Sequence, residues 1–125
     1  MTSGDARDIP RPFRTELEPH QETILVVAEG ELDMASSGKL GGELRELLGA
    51  GFARIVLDLR GVSFLDSSGL KTILDAHAAS RTASVEFAVI QGPAPVRRIF
   101  ELTGTEVALQ FVAPSAIDGI GGRPR

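Results

Sequence analysis

Apolar and polar residues alternate with two different periods along the middle of the chain. Near the amino terminus, Phe13, Thr15 and Leu17 alternate with charged residues, a spacing of two that predicts a strand with one buried face. A short polar turn follows, and residues 24–28 are then apolar at every position, as in a strand that is buried on both faces. Two strands joined by so short a turn are expected to form an antiparallel hairpin.

Three later segments place apolar residues at intervals of three and four, the period of a helix with one buried face. The first stripe consists of Leu40, Leu44, Leu47 and Leu48. The second consists of Leu70, Ile73, Leu74, His77 and Ala78. The third stripe, which stops at Gly104, consists of Val96, Ile99, Phe100 and Leu102. Apolar runs at 55–59, 85–89 and 107–112 predict strands, and Asp58 is the one position of the first run that we do not expect to be buried.

The predicted order of elements is therefore β-β-α-β-α-β-α-β. Strands that alternate with single helices favour right-handed crossovers and a mostly parallel sheet, to which the first hairpin adds an antiparallel edge. We expect an α/β fold with one domain over residues 13–112. Residues 1–12 and 113–125 are polar and contain several helix and strand breakers, so we expect a flexible N-terminal extension and a flexible C-terminal tail.

Composition narrows the classes of function. The 125 residues carry 17 acidic and 13 basic side chains, a formal net charge of −4, whereas a nucleic-acid binder normally has a basic excess or a basic face. The absence of cysteine excludes disulfides and thiolate chemistry, and the two histidines, His20 and His77, argue against a His-rich metal site. No apolar run is long enough to cross a bilayer, and residues 1–12 lack the apolar core of a secretory signal. We therefore expect a cytoplasmic protein with no metal, no cofactor and no direct contact with nucleic acid or membrane.

One segment, Asp66-Ser67-Ser68-Gly69-Leu70, follows a predicted central strand and opens a helix. In open α/β sheets, ligands bind at the carboxyl ends of strands, and this segment lies at such an end. Asp66 or Ser67 can cap the helix. Gly69 costs about 1 kcal/mol of helix propensity, and a close approach of another chain to the backbone would explain that cost. A good cap followed by a small residue for packing explains the same pattern equally well.

An enzyme built on these serines is disfavoured, and we predict no catalytic residue. A nucleophile elbow needs Gly-x-Ser-x-Gly, and neither Ser67 nor Ser68 has those neighbours. A phosphate-binding loop needs Gly-Lys-Ser/Thr, whereas Lys71 comes after Gly69 in the wrong order. His77 lies on an apolar stripe, where a packing role is favoured over catalysis.

Residues 56–70 resemble the signature of anti-sigma factor antagonists of the STAS-domain family, whose most specific part is Asp-Ser-Ser-Gly-Leu at a strand end. Two further stretches are similar to the same family, in the same order and spacing. These are Gly-Glu-Leu-Asp at 30–33 and residues 96–104, which close with Thr-Gly. Together the resemblance spans residues 13–112.

The resemblance implies a bacterial partner-switching protein that regulates transcription and catalyses nothing itself. In this family the unphosphorylated antagonist binds an anti-sigma factor, typically also a serine kinase, and thereby frees a sigma factor in a stress or developmental programme. The kinase phosphorylates the serine after the Asp, here Ser67 rather than Ser68, and the complex dissociates until a PP2C-type phosphatase resets it. The residues that we accordingly predict to bind the partner are Asp33, Asp66, Ser67, Ser68, Gly69 and Leu70. A monomer is expected for the free protein, because the switch must exchange partners.

The physical chemistry of a helix N-terminus fits such a switch. A phosphate on Ser67 adds about −1.5 to −2 charges, which the helix dipole and the free N–H groups of the first turn tolerate within the chain. At an interface the same phosphate must lose its water beside Asp66 and Asp33, so that repulsion and desolvation weaken binding without refolding.

Several alternatives stay open. Asp33 caps the first helix, contacts the partner, or does both. Arg97 and Arg98 suit a solvated face better than a contact with an acidic partner. Met34 and Leu65 can both add apolar contact area, although core packing is favoured for Leu65. The same kind of domain also serves as a scaffold in a large sensory complex or as a module of a transporter complex, and a small hydrolase is the least favoured alternative.

Overall fold

The structure is a computed structural model that describes residues 12–117, and within them it confirms the predicted α/β class. The four strands are β1 (Arg14–His20), β2 (Thr23–Leu32), β3 (Arg54–Leu65) and β4 (Glu86–Ile90). The three α-helices are α1 (Met34–Leu48), α2 (Ser67–Ala83) and α3 (Ala94–Thr103). The strands form one sheet in the order β1-β2-β3-β4, with β1 antiparallel to β2 and the other pairs parallel. The antiparallel first hairpin is therefore also confirmed.

The helices cover one face of this sheet. Each parallel connection moves one strand further in the same direction, and right-handed crossovers then place successive helices on the same side. The core of this layer joins the alternate residues of the strands to the predicted helical stripes, of which Leu40, Leu44 and Leu47 are buried in α1. The stripe on α3 is shorter than predicted, because Val96 and Phe100 are buried whereas Leu102 is 76% exposed.

A smaller apolar cluster covers the opposite face of the sheet, and it includes a residue of the predicted C-terminal tail. Pro114–Ile117 form one 3₁₀ turn, and Ile117 is buried with Leu25, Val56 and Ile90 of the strands. The sequence shows no periodicity here because a single side chain makes the contact. Residues 1–11 and 118–125, which hold nearly all of the predicted extension and most of the predicted tail, lie outside the described residues. The domain boundaries accordingly stay predictions.

The predicted last strand, residues 107–112, is reduced to a single bridge between Phe111 and Val89. Its first two residues instead belong to a 3₁₀ turn, Thr105–Ala108, which follows Gly104 in the left-handed conformation at a φ of 72°. The chain must cross from the helix layer to the sheet edge within these few residues. The start of the predicted strand forms this crossing and therefore does not pair with β4, and Val107 is 88% exposed.

Asp58 is buried, at 3% exposure, although it was predicted to be the one residue of the run 55–59 that is not buried. Arg60 explains the difference, because its Nε and Nη2 donate to the two carboxylate oxygens at 3.0 and 2.8 Å and its backbone N–H donates at 3.0 Å. The two residues are neighbours on one face of β3. A buried carboxylate is tolerated when it is paired and hydrogen-bonded in this way.

We expect Asp58→Asn to lower the free energy of unfolding by about 1–3 kcal/mol, because it weakens three hydrogen bonds to a buried charged acceptor. The matched control is Asp75→Asn, which breaks the ion pair with Lys71 between side chains that are 65% and 76% exposed. That change should cost less than about 0.5 kcal/mol. Urea denaturation of both variants measures the difference, and equal effects would contradict the structural role assigned to Asp58.

Candidate functional site

The segment singled out from the sequence lies at the carboxyl edge of the sheet, where β3 ends and α2 begins. Of the two candidates for the helix cap, the structure selects Asp66, whose Oδ1 accepts from the N–H groups of Ser68 and Gly69 at 2.9 and 3.0 Å. Ser67 is the first residue of α2 and is exposed. Within residues 12–117 the Ser67 hydroxyl has no hydrogen-bond partner. It is thus free to meet an external group.

A second junction of strand and helix lies directly beside the first. Leu32, the last residue of β2, pairs with Leu65, the last residue of β3, so the residues that follow the two strands are neighbours as well. These are Asp33 and Asp66, and the N–H of Asp66 donates to the Leu32 carbonyl at 3.2 Å. The parallel register thereby brings two carboxylates to adjacent positions on one edge.

Asp33 caps α1 much as Asp66 caps α2. Its Oδ1 accepts from the N–H groups of Ala35 and Ser36 at 3.0 and 3.2 Å, and the Ser36 hydroxyl accepts from the Asp33 N–H at 3.0 Å. The capping role expected for Asp33 is therefore present, and its contact with a partner stays a prediction. In both caps only Oδ1 is used, so among the described residues the Oδ2 atoms of Asp33 and Asp66 accept no hydrogen bond.

Gly69 is explained by packing inside this chain. A Cβ at this position would lie 2.6 Å from Leu65 Cδ1, 2.7 Å from Leu32 Cγ and 2.8 Å from the Leu32 carbonyl oxygen. The first turn of α2 therefore sits directly on the ends of β2 and β3, and only glycine leaves room for it. Of the two explanations that the sequence left open for Gly69, the structure supports packing.

The six residues predicted to bind a partner all lie at this edge, but they are not equally accessible. Ser67 is exposed, and Asp33, Asp66 and Ser68 are half-buried. Gly69 and Leu70 are buried, with Leu70 at 8% exposure in the core. These two buried residues pack under the edge on the core side, and neither presents a side chain at its surface.

Two apolar side chains complete the edge. Met34 is 78% exposed as the first residue of α1, and Phe64 is 48% exposed near the end of β3. Phe64 was not predicted from the sequence to be a site residue. Phe64 and Leu65 are consecutive in a strand and face opposite sides, so one of these two apolar side chains had to point away from the helices. This alternation could have indicated, from the sequence alone, that one of the two side chains is exposed at the end of β3.

The surroundings of Ser67 lack the groups that a hydrolase or a metal site would need. His77 lies about 15 Å further along the axis of α2, with its ring packed on Phe87 at a centroid distance of 6.3 Å. His20 pairs with Thr23 at the other edge of the sheet. Over residues 12–117 no three His, Asp or Glu side chains are grouped to hold a metal ion. No helix in that range is long and apolar enough to span a bilayer.

Comparison with known proteins shows the family. The STAS domain family matches residues 14–112. An anti-sigma F factor antagonist of Paenibacillus polymyxa is 32% identical over 93 residues, which cover 74% of this chain and 80% of that protein. The crystal structure of an anti-sigma factor antagonist from Mycobacterium paratuberculosis superposes with a TM-score of 0.72 at 26% identity, covering 90% of this chain and 98% of that one. The phosphorylated form of the Bacillus cell fate determinant SpoIIAA shares the fold, with a TM-score of 0.64 at 21% identity over 87% of this chain and 99% of that one.

The chain therefore belongs to the STAS domain family, and its relatives include proteins named as anti-sigma factor antagonists. The resemblance seen in the sequence is confirmed. Antagonists of this kind are regulatory binding proteins and not enzymes, as predicted for the class of this protein.

Gly69→Ala tests the packing at the start of α2. Alanine gains about 1 kcal/mol of helix propensity, but the clash with Leu32 and Leu65 should cost more, for a net loss of roughly 1–3 kcal/mol. Gly38→Ala in α1 is the control, because a Cβ there meets nothing within 4 Å. This control should stabilise the protein by up to about 1 kcal/mol. Thermal unfolding of both variants measures the effects, and stabilisation by Gly69→Ala would contradict the close contact.

Proposed function

We propose that the protein binds an anti-sigma factor when Ser67 is unmodified and releases it when Ser67 is phosphorylated. The observation that carries the proposal is the position of Ser67, an exposed hydroxyl at the start of α2 with Asp66 and Asp33 beside it. The names of the relatives support the class of partner. Binding of the anti-sigma factor displaces and so frees a sigma factor.

The capping geometry favours a switch that leaves the fold intact. Asp66 already occupies the N–H groups of Ser68 and Gly69, so fewer first-turn donors are free for a phosphate than the sequence predicted. A phosphate on Ser67 would therefore project into solvent, where the positive end of the helix dipole still favours it. Because no contact within residues 12–117 needs the Ser67 hydroxyl, its modification breaks none of them.

The same phosphate changes the surface strongly. It would add about −1.5 to −2 charges next to the open Oδ2 atoms of Asp33 and Asp66. A partner that covers this edge would have to strip water from all three anionic groups at once. Leaving a buried charge unpaired at an interface costs about 2–5 kcal/mol, which is enough to dissociate a complex of moderate affinity.

The proposal includes the two enzymes that would set the state of Ser67. The anti-sigma factor acts as the serine kinase, and a PP2C-type phosphatase removes the phosphate. Both need an accessible hydroxyl, and Ser67 is exposed. With these partners the protein acts in the cytoplasm and is a monomer between binding events.

Ser67→Ala removes the acceptor and leaves the cap on Asp66 in place, so the free energy of unfolding should change by no more than about 0.5 kcal/mol. The variant should bind the anti-sigma factor and stay bound when ATP is added. Intact-mass spectrometry after incubation with ATP and the source organism's purified anti-sigma factor kinase measures phosphate incorporation. Ser68→Ala is the control and should gain one phosphate as the wild type does. If Ser67→Ala still gains a phosphate and dissociates, Ser67 is not the switch.

Ser67→Asp tests whether a negative charge at this position weakens binding while the fold stays intact. A carboxylate carries one charge against nearly two for phosphate, so the variant should mimic the modified state in part and lose affinity for the anti-sigma factor. Its thermal stability should hold or rise slightly, because the charge meets the positive end of the α2 dipole. Calorimetric titration and thermal melts measure the two effects.

Thr82→Asp is the matched control for that experiment, since it puts the same charge on an exposed position in the last turn of α2. Its stability should fall slightly, because the charge meets the negative end of the dipole, while its affinity for the anti-sigma factor should not change. A Ser67→Asp variant that is stable and binds like the wild type places Ser67 outside the interface and removes the basis of the proposal.

A further inference from the structure

Two apolar side chains near Ser67 have much of their surface in solvent. Met34, at 78% exposure, is the first residue of α1, the position that Ser67 occupies in α2. Phe64, at 48% exposure, precedes Leu65 in β3 and faces away from it, toward the side of the sheet opposite the helices. Met34 and Phe64 therefore each lie within two residues of a helix cap, Asp33 or Asp66, at the edge that carries Ser67.

Both side chains are close enough to Ser67 to share one interface with it. Phe64 precedes Ser67 by three residues, so their Cα atoms are at most about 10 Å apart. Helices α1 and α2 pack against each other, and packed helix axes lie about 8–10 Å apart, which puts Met34 at a similar distance. An ordinary interface buries about 800 Å² on each partner, a disc roughly 30 Å across. An interface centred on Ser67 is therefore wide enough to reach Met34 and Phe64 as well.

Exposed apolar side chains occur singly on most protein surfaces, so the position of this pair matters more than its exposure. The other exposed large apolar residues are Leu17, at 42% in the middle of β1, and Leu102 and Val107, at the end of α3 and in the turn after it. Since α3 starts near the carboxyl edge of the sheet, it ends at the opposite edge. Leu102 and Val107 are thus far from Ser67. Leu102, at 76% exposure, serves below as the matched control for Met34, and Val107, at 88%, as a more exposed control for Phe64.

We propose that Met34 and Phe64 are the apolar anchors on which the anti-sigma factor docks. The inference rests on the proposed function, because it takes that factor as the occupant of the edge. The matching surface of the partner would be apolar at the two anchors and would carry hydrogen-bond donors beside them, facing the open Oδ2 atoms of Asp33 and Asp66. The anchors supply affinity, and Ser67 supplies the switch, since a hydrated phosphate beside them keeps the apolar surfaces of the two proteins apart.

Met34→Gln keeps the length of the side chain and removes its apolar character, and Phe64→Ala removes the second anchor. Each should raise the Kd of the unphosphorylated protein for the purified, ADP-bound anti-sigma factor about tenfold or more in calorimetric titration, as truncation of a buried anchor does. Leu102→Gln and Val107→Ala should leave the Kd within about twofold. As a second measurement, Met34→Gln should raise the KM for phosphorylation of Ser67 by the kinase without changing kcat.

The outcomes separate this inference from the proposed function. If the wild type is released on phosphorylation but Met34→Gln binds as tightly as the wild type, the anchors are wrong and the switch stands. An equal loss of affinity for Leu102→Gln also overturns the inference, because the effect would then not be local to the edge. A wild type that binds no anti-sigma factor, or that stays bound after Ser67 is phosphorylated, overturns the proposed function and the inference with it. Should Phe64→Ala fail to fold, the highly exposed Met34 still decides the matter.

Discussion

The parallel pairing of Leu32 with Leu65 is the constraint on which the rest of the site depends. It ends two strands at the same level, so that the two following aspartates, Asp33 and Asp66, cap neighbouring helices side by side. Gly69 makes this arrangement possible, because its lack of a side chain lets the first turn of α2 pack against the Leu32 carbonyl. A residue that held α2 further away would move Ser67 relative to the carboxylates and the exposed anchors.

Stability and signalling use different atoms of the same residues at this edge. In each cap one carboxylate oxygen accepts hydrogen bonds from backbone N–H groups, and the other accepts none from the described residues. The hydroxyl of Ser67 takes part in neither cap. The edge can therefore be rigid while its outward surface is free to bind or to be modified, and a change of charge there is expressed as a change in affinity rather than in folding.

The two faces of the sheet are buried by unequal means. Three helices cover one face, whereas on the other the apolar strand residues pack with Ile117 and Val112. Polar residues on that second face are accommodated by pairing, as Asp58 is by Arg60. This leaves the carboxyl edge, rather than either face, as the surface where Ser67, the two capping carboxylates and the exposed Met34 and Phe64 occur together.

The sequence by itself determined the helices, the strands of the hairpin and the central sheet, because each buries a stripe whose period can be counted, as Leu40, Leu44 and Leu47 show. It also located the strand end at Asp66 and the hydroxyl beside it. Contacts between distant segments were decided only in the tertiary structure. Why residue 69 is glycine depends on what β2 places against α2, and the sequence left open whether Asp66 or Ser67 caps that helix. The last strand was misjudged because a local pattern does not contain the path back to the sheet edge. Asp58 was misjudged for a different reason, since its partner Arg60 is only two residues away and the structure shows the bidentate contact that makes a buried carboxylate tolerable.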